Sequence, residues 1–531
     1  MEKTKLMMVV GFIILMATMS LPGCARGARD GQYVRRDPAT IPASERFGGV
    51  LRTSQNTDPV SLDPHIESGE SEQIPMAHIF ETVISLDRQG NPFPCVTTFE
   101  FDGTTLRLRV RDGLIFHNGD PVTIYDVDAS LTRWLANVSF ARNHFGNRIG
   151  SRAIEGDELV ITFNRPAPLA LTAAGRYAQG WYVMPRAIAE AFPTTRLPNE
   201  YLIGTGPYRF VRHMTGRYVL VERFDGYIRT NNVANGRAAP KMAYADQIFF
   251  FPVPDRTARI MGVQTNEFDV AIGVPANMID ELSRDPNLEI EIENLGIMAS
   301  MLFNSHQGPA TCIYLRRAIL LTLDMYELML AAQGHSSLFF LHPSIMDINS
   351  RWWNDIGLER YETRDLDRAR AYLARSTYNG EVLRFITTTD FDYFFRTAMV
   401  VAENARAIGI NIDVQVFDNP TLRQFRSDPT RFEMFSGGLG PYVDPALVPY
   451  LDPSWPTRWN SPRKEEAVTR LNAVTDFETR LAIWKEISEI MHDELPVITF
   501  GERRNPVVFR NNVYNLFTAI EKTYWNTFII Q

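Results

Sequence analysis

The segment around Gly409 most constrains the fold, because the spacing of apolar residues changes there from three or four to two. Val401, Ala405 and Ile408 lie on one face of a predicted helix, and Gly409 stands where such a helix would end. Apolar and polar side chains then alternate through residues 410–416, which predicts a β-strand. A helix that ends at a glycine and leads into a strand is typical of an α/β layer.

Other segments also show a regular apolar period. Apolar residues alternate with polar ones at 106–110, between two Asp-Gly turn dipeptides, and again at 159–163, which predicts antiparallel strands. Apolar residues at helical spacing predict helices at 127–135 and at 483–490, the second ending before Pro496. Together these patterns predict a mixed α/β fold, with antiparallel hairpins in the first part and helix–strand units in the second.

The first 24 residues predict export. An apolar stretch from Leu6 to Leu21 follows two lysines and is shorter than the roughly 20 residues that span a bilayer comfortably. The sequence Leu21-Pro22-Gly23-Cys24 resembles a bacterial lipobox. The resemblance implies a cleaved signal peptide at residues 1–23, a lipid on the sulfur of Cys24, and a protein anchored on the periplasmic or extracellular face of a bacterial membrane. An uncleaved membrane anchor or a soluble exported protein are the alternatives.

Residues 24–47 are polar and mostly lack an apolar period, which predicts a flexible tether between the lipid and the folded body. The formal net charge of the chain is −8. An acidic surface repels phosphate backbones, so nucleic acid is not an expected partner. We expect Cys95 and Cys312 to be free thiols, with a disulfide between them as the alternative.

Motifs of the common catalytic and metal sites are missing from the sequence. It has no Gly-x-Ser-x-Gly, no Gly-Lys dipeptide, no His-Glu-x-x-His and no Cys-x-x-Cys. His117 lies in a predicted turn, where a structural role is expected. The sequence therefore predicts neither an enzyme, nor a metal site, nor a cofactor; an extracytoplasmic hydrolase is the alternative that a cleft residue essential for turnover would support.

Several segments carry a resemblance to a known family. The longest runs from Leu106 to Gly119 and includes Arg-Asp-Gly-Leu-Ile-Phe-His-Asn-Gly; others are Leu62–His65, Ile79–Val83, Gly204–Tyr208, Gly409-Ile410 and Glu494–Pro496. These segments resemble the family 5 extracellular solute-binding proteins, the peptide and nickel binders of ABC importers. The match extends over residues 48–515.

The resemblance implies a two-lobed α/β protein with the periplasmic binding protein type II fold. The first lobe, residues 48–250 and 496–531, would be large and carry an additional subdomain, and residues 251–495 would form the second. Hinge crossings near Phe250 and Pro496 would let the lobes close on a small solute, by default a peptide. The expected partners are the permease and ATPase subunits of an ABC importer, and the expected state is a monomer. A binding module that acts without a transporter, as a sensor or chaperone, is the alternative.

The charged anchors of the family's peptide binders are missing from this sequence. Those proteins hold the peptide's amino group with an aspartate in a Trp-x-Gly/Ala-Asp segment before Asp-Pro, but here Gly438 replaces the tryptophan and Pro441 the aspartate. The arginine that dipeptide binders carry has no counterpart in Thr387–Asp390. An ordinary dipeptide is therefore not favoured. A peptide held by backbone contacts, an oligosaccharide and an amino-acid conjugate all stay open.

Candidate ligand-binding residues follow from the same alignment of motifs. They are expected on both sides of the cleft: Asn56 and Glu70 in the first lobe, and Phe417, Asp418, Gly438, Leu439, Gly440, Pro441, Tyr442 and Asp444 in the second. Four tryptophans, Trp352, Trp353, Trp455 and Trp459, are further candidates for the second lobe's wall, with core packing as the alternative for each.

Overall fold

The structure is a computed structural model, and it describes residues 35–361, 364–516 and 523–531. The predicted signal peptide and the proposed lipid site at Cys24 lie outside these ranges. None of the helices in the described ranges is long and apolar enough to cross a membrane.

The described residues form nineteen strands, numbered here in chain order. They are β1 Val50–Gln55, β2 Ile84–Leu86, β3 Pro92–Pro94, β4 Thr97–Phe101, β5 Thr105–Val110, β6 Ile149–Glu155, β7 Glu158–Phe163, β8 Tyr208–Met214, β9 Tyr218–Arg223, β10 Gln247–Pro252, β11 Val270–Ile272, β12 Leu288–Phe303, β13 Phe339–Phe340, β14 Leu383–Thr388, β15 Ile412–Phe417, β16 Met434–Leu439, β17 Val497–Arg510, β18 Val513–Tyr514 and β19 Phe528–Ile529.

The same part of the chain contains sixteen α-helices. They are α1 Ala43–Arg46, α2 Glu70–Ile79, α3 Ile124–Asn137, α4 Ser139–His144, α5 Ala170–Gly175, α6 Arg186–Ala191, α7 Arg256–Gln264, α8 Ile279–Leu282, α9 Ile313–Leu320, α10 Met325–Gln333, α11 Leu358–Tyr361, α12 Leu366–Ala374, α13 Asp392–Arg406, α14 Asn419–Phe425, α15 Pro462–Ala473 and α16 Phe477–Glu494.

The main sheet is continuous through the molecule. Its strand order is β15-β14-β16-β12-β17-β11-β1-β10-β9-β8, and β13 pairs with β17. The antiparallel strands β12 and β17 lie in the middle and are long, with 16 and 14 residues. The register between them shifts between Asn294 and Ile297. Among the described strands, only these two therefore extend into both halves of the main sheet.

The two halves of the sheet have separate hydrophobic cores, which makes the protein two-lobed. The core of the second lobe includes buried residues from Met298 to Phe500, whereas Val507 and Phe509 belong to a core of the first lobe together with Leu51 and Phe250. Each long strand changes lobe near its middle. The mixed α/β, two-lobed fold predicted from the sequence is confirmed.

The lobe limits predicted from the sequence differ from the positions of these long strands. The limit near Phe250 falls inside β10, and the next strand, β11, pairs with β1 and β17 instead of with a strand of the second lobe. The side chains of residues 260–282 then pack with Val508, next to the first lobe's strands. The limit near Pro496 falls immediately before β17.

A four-stranded antiparallel sheet forms a subdomain of the first lobe. Its order is β4-β5-β7-β6, and Leu106 and Leu108 pack with Val127 and Leu131 of α3 in a core of their own. The strands and helix predicted at 106–110, 159–163 and 127–135 correspond to β5, β7 and α3.

The pattern around Gly409 forms the predicted helix, turn and strand. Helix α13 is followed by Gly409 at φ +88°, a backbone conformation that glycine adopts without strain, and then by β15. The predicted helix at 483–490 lies within α16, which ends at Glu494 and is capped by Leu495.

Two further predictions concern the ends of the chain and its thiols. In the part of the predicted tether that is described, residues 35–47, the Arg35 guanidinium donates to the carbonyl oxygens of Asn511 and Val513 at 2.7 and 2.9 Å. This part is therefore packed against the body, and flexibility stays a prediction for residues 24–34. Cys95 and Cys312 are both free, as predicted, with Cys95 buried and Cys312 half-buried.

Candidate functional site: the cleft between the lobes

The strand directions create a cleft where the chain changes lobe. In the first lobe β1 is parallel to β10 and β11, and in the second lobe β14 is parallel to β15 and β16. Strand β12 runs parallel to β1 but antiparallel to β16, because β17 is antiparallel to both β11 and β12. The carboxyl ends of the two groups of parallel strands therefore face each other across residues 294–297. Open α/β sheets bind ligands at such carboxyl ends.

The second lobe's side of the cleft is formed by the end of β16 and the loop that follows. Gly438 and Pro441 are exposed, and Leu439 is buried in the lobe. Gly440 has φ +102°, and a Cβ atom on it would lie 2.2 Å from the carbonyl oxygen of Gly296. Only glycine allows the backbone after β16 to lie this close to the crossing strand β12.

Tyr442 and the end of β15 extend this side outward. Tyr442 is half-buried, and its burial raises the pKa of its hydroxyl to about 12, so it is neutral and available as a hydrogen-bond donor. Phe417 is the last residue of the edge strand β15, two strands away from β16, and Asp418 follows it. The Asp418 carboxylate caps α14 by accepting from the backbone N–H and the hydroxyl of Thr421, which lowers its pKa.

Asp444 does not face the cleft. Its two carboxylate oxygens accept from the two terminal nitrogens of Arg480 at 2.6 and 2.8 Å, and the residue is 2 % exposed. Oδ1 also accepts from the backbone N–H of Ala446. The carboxylate is occupied inside the second lobe, where it joins α16 to the loop after β16.

The first lobe's candidates lie opposite. Asn56 immediately follows β1, and Glu70 is the first residue of α2; both side chains are exposed. The two lobes also touch directly. The backbone N–H of Arg351 donates to the carbonyl oxygen of Gln89 at 3.3 Å, and Nη1 of Arg351 donates to Oδ1 of Asn91 at 2.7 Å.

Acidic side chains surround the point where β12 and β17 change lobe. Glu502 is fully buried, accepts from the backbone N–H of Gly296 at 3.2 Å and contacts Nε2 of His342 at 2.9 Å. Asp347 lies beside Glu502; burial and then the negative charge of Glu502 raise the pKa of Asp347 to about 7. No local sequence pattern indicates this cluster of Glu502, His342 and Asp347, because its members are far apart in the chain.

An arginine that no sequence motif indicates also lies near the point where β12 and β17 change lobe. The Arg503 guanidinium is 3.8 Å from the centre of the Tyr393 ring. The Tyr393 hydroxyl in turn lies against the backbone of Gly438, since a Cβ atom built on Gly438 would be only 2.5 Å from it. Arg503 on the crossing strand β17 therefore borders the exposed end of β16. No motif marks it, because its position depends on the pairing of β17 with β12.

The cleft continues outward into a chamber of about 830 Å³ between the subdomain of the first lobe and the loops after β16. We call it the outer chamber. Its first-lobe wall includes His144, Arg176 and Arg237, and its second-lobe wall includes Tyr442, Val448 and Trp455. A volume of this size suits a small solute.

Of the other aromatic and histidine candidates, one tryptophan lines the outer chamber and two lie in a hydrophobic core. Trp352 and Trp459 are almost fully buried in the core of the second lobe, as the packing alternative predicted, while Trp455 lines the outer chamber and Trp353 is half-buried. Nε2 of His117 lies 3.0 Å from the carbonyl oxygen of Gly206. Within the described ranges, no group of three or more His, Cys, Asp or Glu side chains could hold a metal ion.

Known proteins resemble this chain in sequence and in structure. The chain is 24% identical over 498 residues to the "Probable peptide ABC transporter periplasmic-binding protein y4tO" of Sinorhizobium fredii, with 88% of this chain and 91% of that protein covered. The crystal structure of the ABC transporter substrate-binding protein CtaP of Listeria monocytogenes has a TM-score of 0.76 at 18% identity, covering 92% of this chain and all of the other.

A second solved structure holds a ligand. The Helicobacter pylori periplasmic binding protein DppA, in complex with the peptide STSA, has a TM-score of 0.69 at 18% identity and covers 92% of this chain and 99% of its own. The sequence model of the bacterial extracellular solute-binding proteins, family 5, matches residues 98–461, which is more than half of the chain. This protein therefore belongs to the family 5 bacterial extracellular solute-binding proteins, as the motifs in its sequence predicted.

Proposed function

We propose that this protein is the lipid-anchored, solute-capturing component of an ABC importer, and that it binds a peptide or a solute of similar size between its two lobes. The observation that carries the proposal is the meeting of two sets of strand carboxyl ends across β12 and β17. Two crossing strands connect the lobes at the base of the cleft, and such a pair can act as a hinge when lobes close on a ligand. The role is binding, without a chemical step.

The cleft supports capture through backbone and aromatic contacts. The exposed backbone of Gly438 and the loop from Gly440 to Tyr442 offer peptide groups to a ligand, and Tyr442 offers a neutral hydroxyl. Asn56 and Glu70 would contribute polar groups from the other lobe. An extended peptide, which carries a donor and an acceptor at each residue, fits this kind of surface.

The position of Asp444 also favours a second class of ligand. Because Arg480 occupies the Asp444 carboxylate and Pro441 stands in place of an acid, neither supplies an anion for a free peptide amine. A non-peptide solute, such as an oligosaccharide or an amino-acid conjugate, is therefore the alternative ligand. Delivery to the permease, the lipid on Cys24 and a monomeric state belong to the same proposal.

A ligand screen by thermal unfolding tests the proposal. The peptide Ser-Thr-Ser-Ala, glutathione and a neutral oligosaccharide serve as probes, each added to the purified protein over a range of concentrations. A one-site ligand at a hundred times its Kd stabilises the folded state by about 2.7 kcal/mol, so the melting temperature should rise with at least one probe. An unchanged melting temperature with all three would contradict solute capture by this cleft.

A further inference from the structure

The outer chamber has walls of opposite chemical character. The wall from the first lobe carries Arg176 and Arg237, and the wall from the second lobe carries Tyr442, Val448 and Trp455. A ligand that spans this chamber therefore meets guanidinium groups on one side and aromatic and aliphatic surface on the other. This asymmetry restricts the chemistry of the ligand.

Arg176 is the informative residue of the cationic wall. It follows the last residue of α5, and its guanidinium carbon lies 4.0 Å from the centre of the Phe140 ring. Burial alone lowers the pKa of Arg176, and no carboxylate among the described residues raises it. Arg176 is half-buried and has no acidic partner among the described residues, so an anion from outside would offset the cost of its partial desolvation.

The neighbours of Arg176 add positive charge. Arg237 is 7 % exposed and lies 5.1 Å from the Tyr177 ring. His144 has a lowered pKa, first because of burial and then because of the charges of Arg148 and Arg176, which outweigh the opposite effect of Asp444. The wall thus has a positive potential that already disfavours a further proton on His144.

The acidic side chains that line the chamber are engaged locally. Asp87 accepts from the backbone N–H groups of Gln89 and Asn91, and Glu465 accepts from Lys464. Asp452 accepts from the backbone N–H of Ser454. Each carboxylate is thus bonded within its own loop, and among the described residues none of the three acts on the pKa of Arg176.

We propose, building on the solute-binding function above, that the outer chamber is a subsite for a carboxylate group of the bound solute, with Arg176 as its main ligand and Tyr442 and Trp455 as the surface for the solute's apolar part. Arginine suits this role because its planar donors match the two oxygens of a carboxylate. The preferred solutes are therefore acids with an apolar portion next to the carboxylate.

The test compares acids with their amides. Binding of Ser-Thr-Ser-Ala and of glutathione is measured by titration calorimetry at low salt, each as the free acid and with its carboxyl groups converted to amides. We expect the free acid of at least one probe to bind the wild-type protein ten times or more tightly than its amide. The Arg176→Gln variant should lose most of that preference, and Arg176→Lys should retain part of it.

Matched variants separate this subsite from general charge effects. Arg165→Gln removes an exposed arginine of the same lobe outside the chamber and should leave the preference intact. Thermal unfolding without ligand checks that each variant is folded. If Arg503→Gln abolishes the preference and Arg176→Gln does not, the carboxylate lies at the crossing strands and the inference is overturned.

The two proposals fail in different ways. Equal binding of acids and amides by the wild-type protein would overturn the carboxylate subsite and leave solute capture standing. Absence of binding for every probe, acid or amide, would count against solute capture itself and against the subsite with it.

Discussion

At the scale of single residues, Asp444 shows how a candidate ligand-binding group can have a structural role. Its carboxylate pairs with Arg480 at two points, and both side chains are buried. The partner is far along the chain on α16, and no local pattern connects the two. Sequence motifs could therefore mark Asp444 as special but could not indicate whether it faces the ligand or the lobe.

Replacing Asp444 tests this structural role. Asp444→Asn leaves the buried guanidinium of Arg480 without a negative partner, and breaking one side of such a pair typically costs about 3–5 kcal/mol. We expect a clear fall in the melting temperature, with the ligand affinity of the folded variant close to that of the wild type. Asp418→Asn, at an exposed helix cap where asparagine serves about as well as aspartate, is the control and should cost well under about 1 kcal/mol. A stable Asp444→Asn protein that no longer binds ligand would reverse the assignment.

Asp347 should make the stability of the protein depend on pH. In the unfolded chain it loses its proton near its ordinary pKa of 3.8, whereas in the folded protein, beside Glu502, its pKa is about 7. Between these values the folded state holds the additional proton, so this group makes the free energy of unfolding fall as the pH rises, by at most about 1.4 kcal/mol per pH unit.

Asp347→Asn removes this contribution because the amide does not titrate. From pH 4.5 to pH 7, the free energy of unfolding of the variant, measured with urea, should therefore rise relative to the wild type. A difference between the two proteins that stays constant over this range would show that Asp347 ionises normally in the folded state.

At the scale of elements, the regular patterns were predicted and the long crossing strands were not. Helix α13, Gly409 and β15 each depend on local spacing, which the sequence displays. Strand β12 begins with acidic residues alternating at Glu289, Glu291 and Glu293 and ends in an apolar run, because its first half borders one core and its second half is inside another. A change of environment within one strand gives no single period, so local spacing does not mark the crossing, and the family resemblance alone led us to expect it near Phe250.

A substitution in the loop after β16 tests how closely this loop packs against the crossing strand β12. Gly440→Ala would place a methyl group 2.2 Å from the carbonyl oxygen of Gly296, in addition to the strain of a positive φ. Gly380 has φ +88° and open space around it, so Gly380→Ala carries the backbone strain alone, about 1–2 kcal/mol. Overpacking adds about 1–3 kcal/mol. Chemical unfolding should therefore show the larger loss for Gly440→Ala; equal losses would mean that the loop moves freely away from β12.

At the scale of the whole molecule, two lobes share one sheet through β12 and β17. The rest of each lobe has its own core, so a rotation about these two strands disturbs little packing. The contacts of Arg351 with Gln89 and Asn91 join the lobes away from the crossing. The family motifs predicted this two-lobed architecture, but not which residues of the cleft would be free for a ligand, because that depends on which partners the fold brings to each side chain.

Small-angle X-ray scattering with and without a bound solute shows whether the two lobes close on their ligand. The sample is the purified protein, and the added ligand is the probe that raises its melting temperature. If the solute is captured between lobes that close on it, saturating ligand should give a smaller radius of gyration and a narrower distribution of interatomic distances than the ligand-free protein has. Binding is established by calorimetry on the same sample. If saturating ligand then leaves the radius of gyration and the distance distribution unchanged, capture by lobe closure is contradicted.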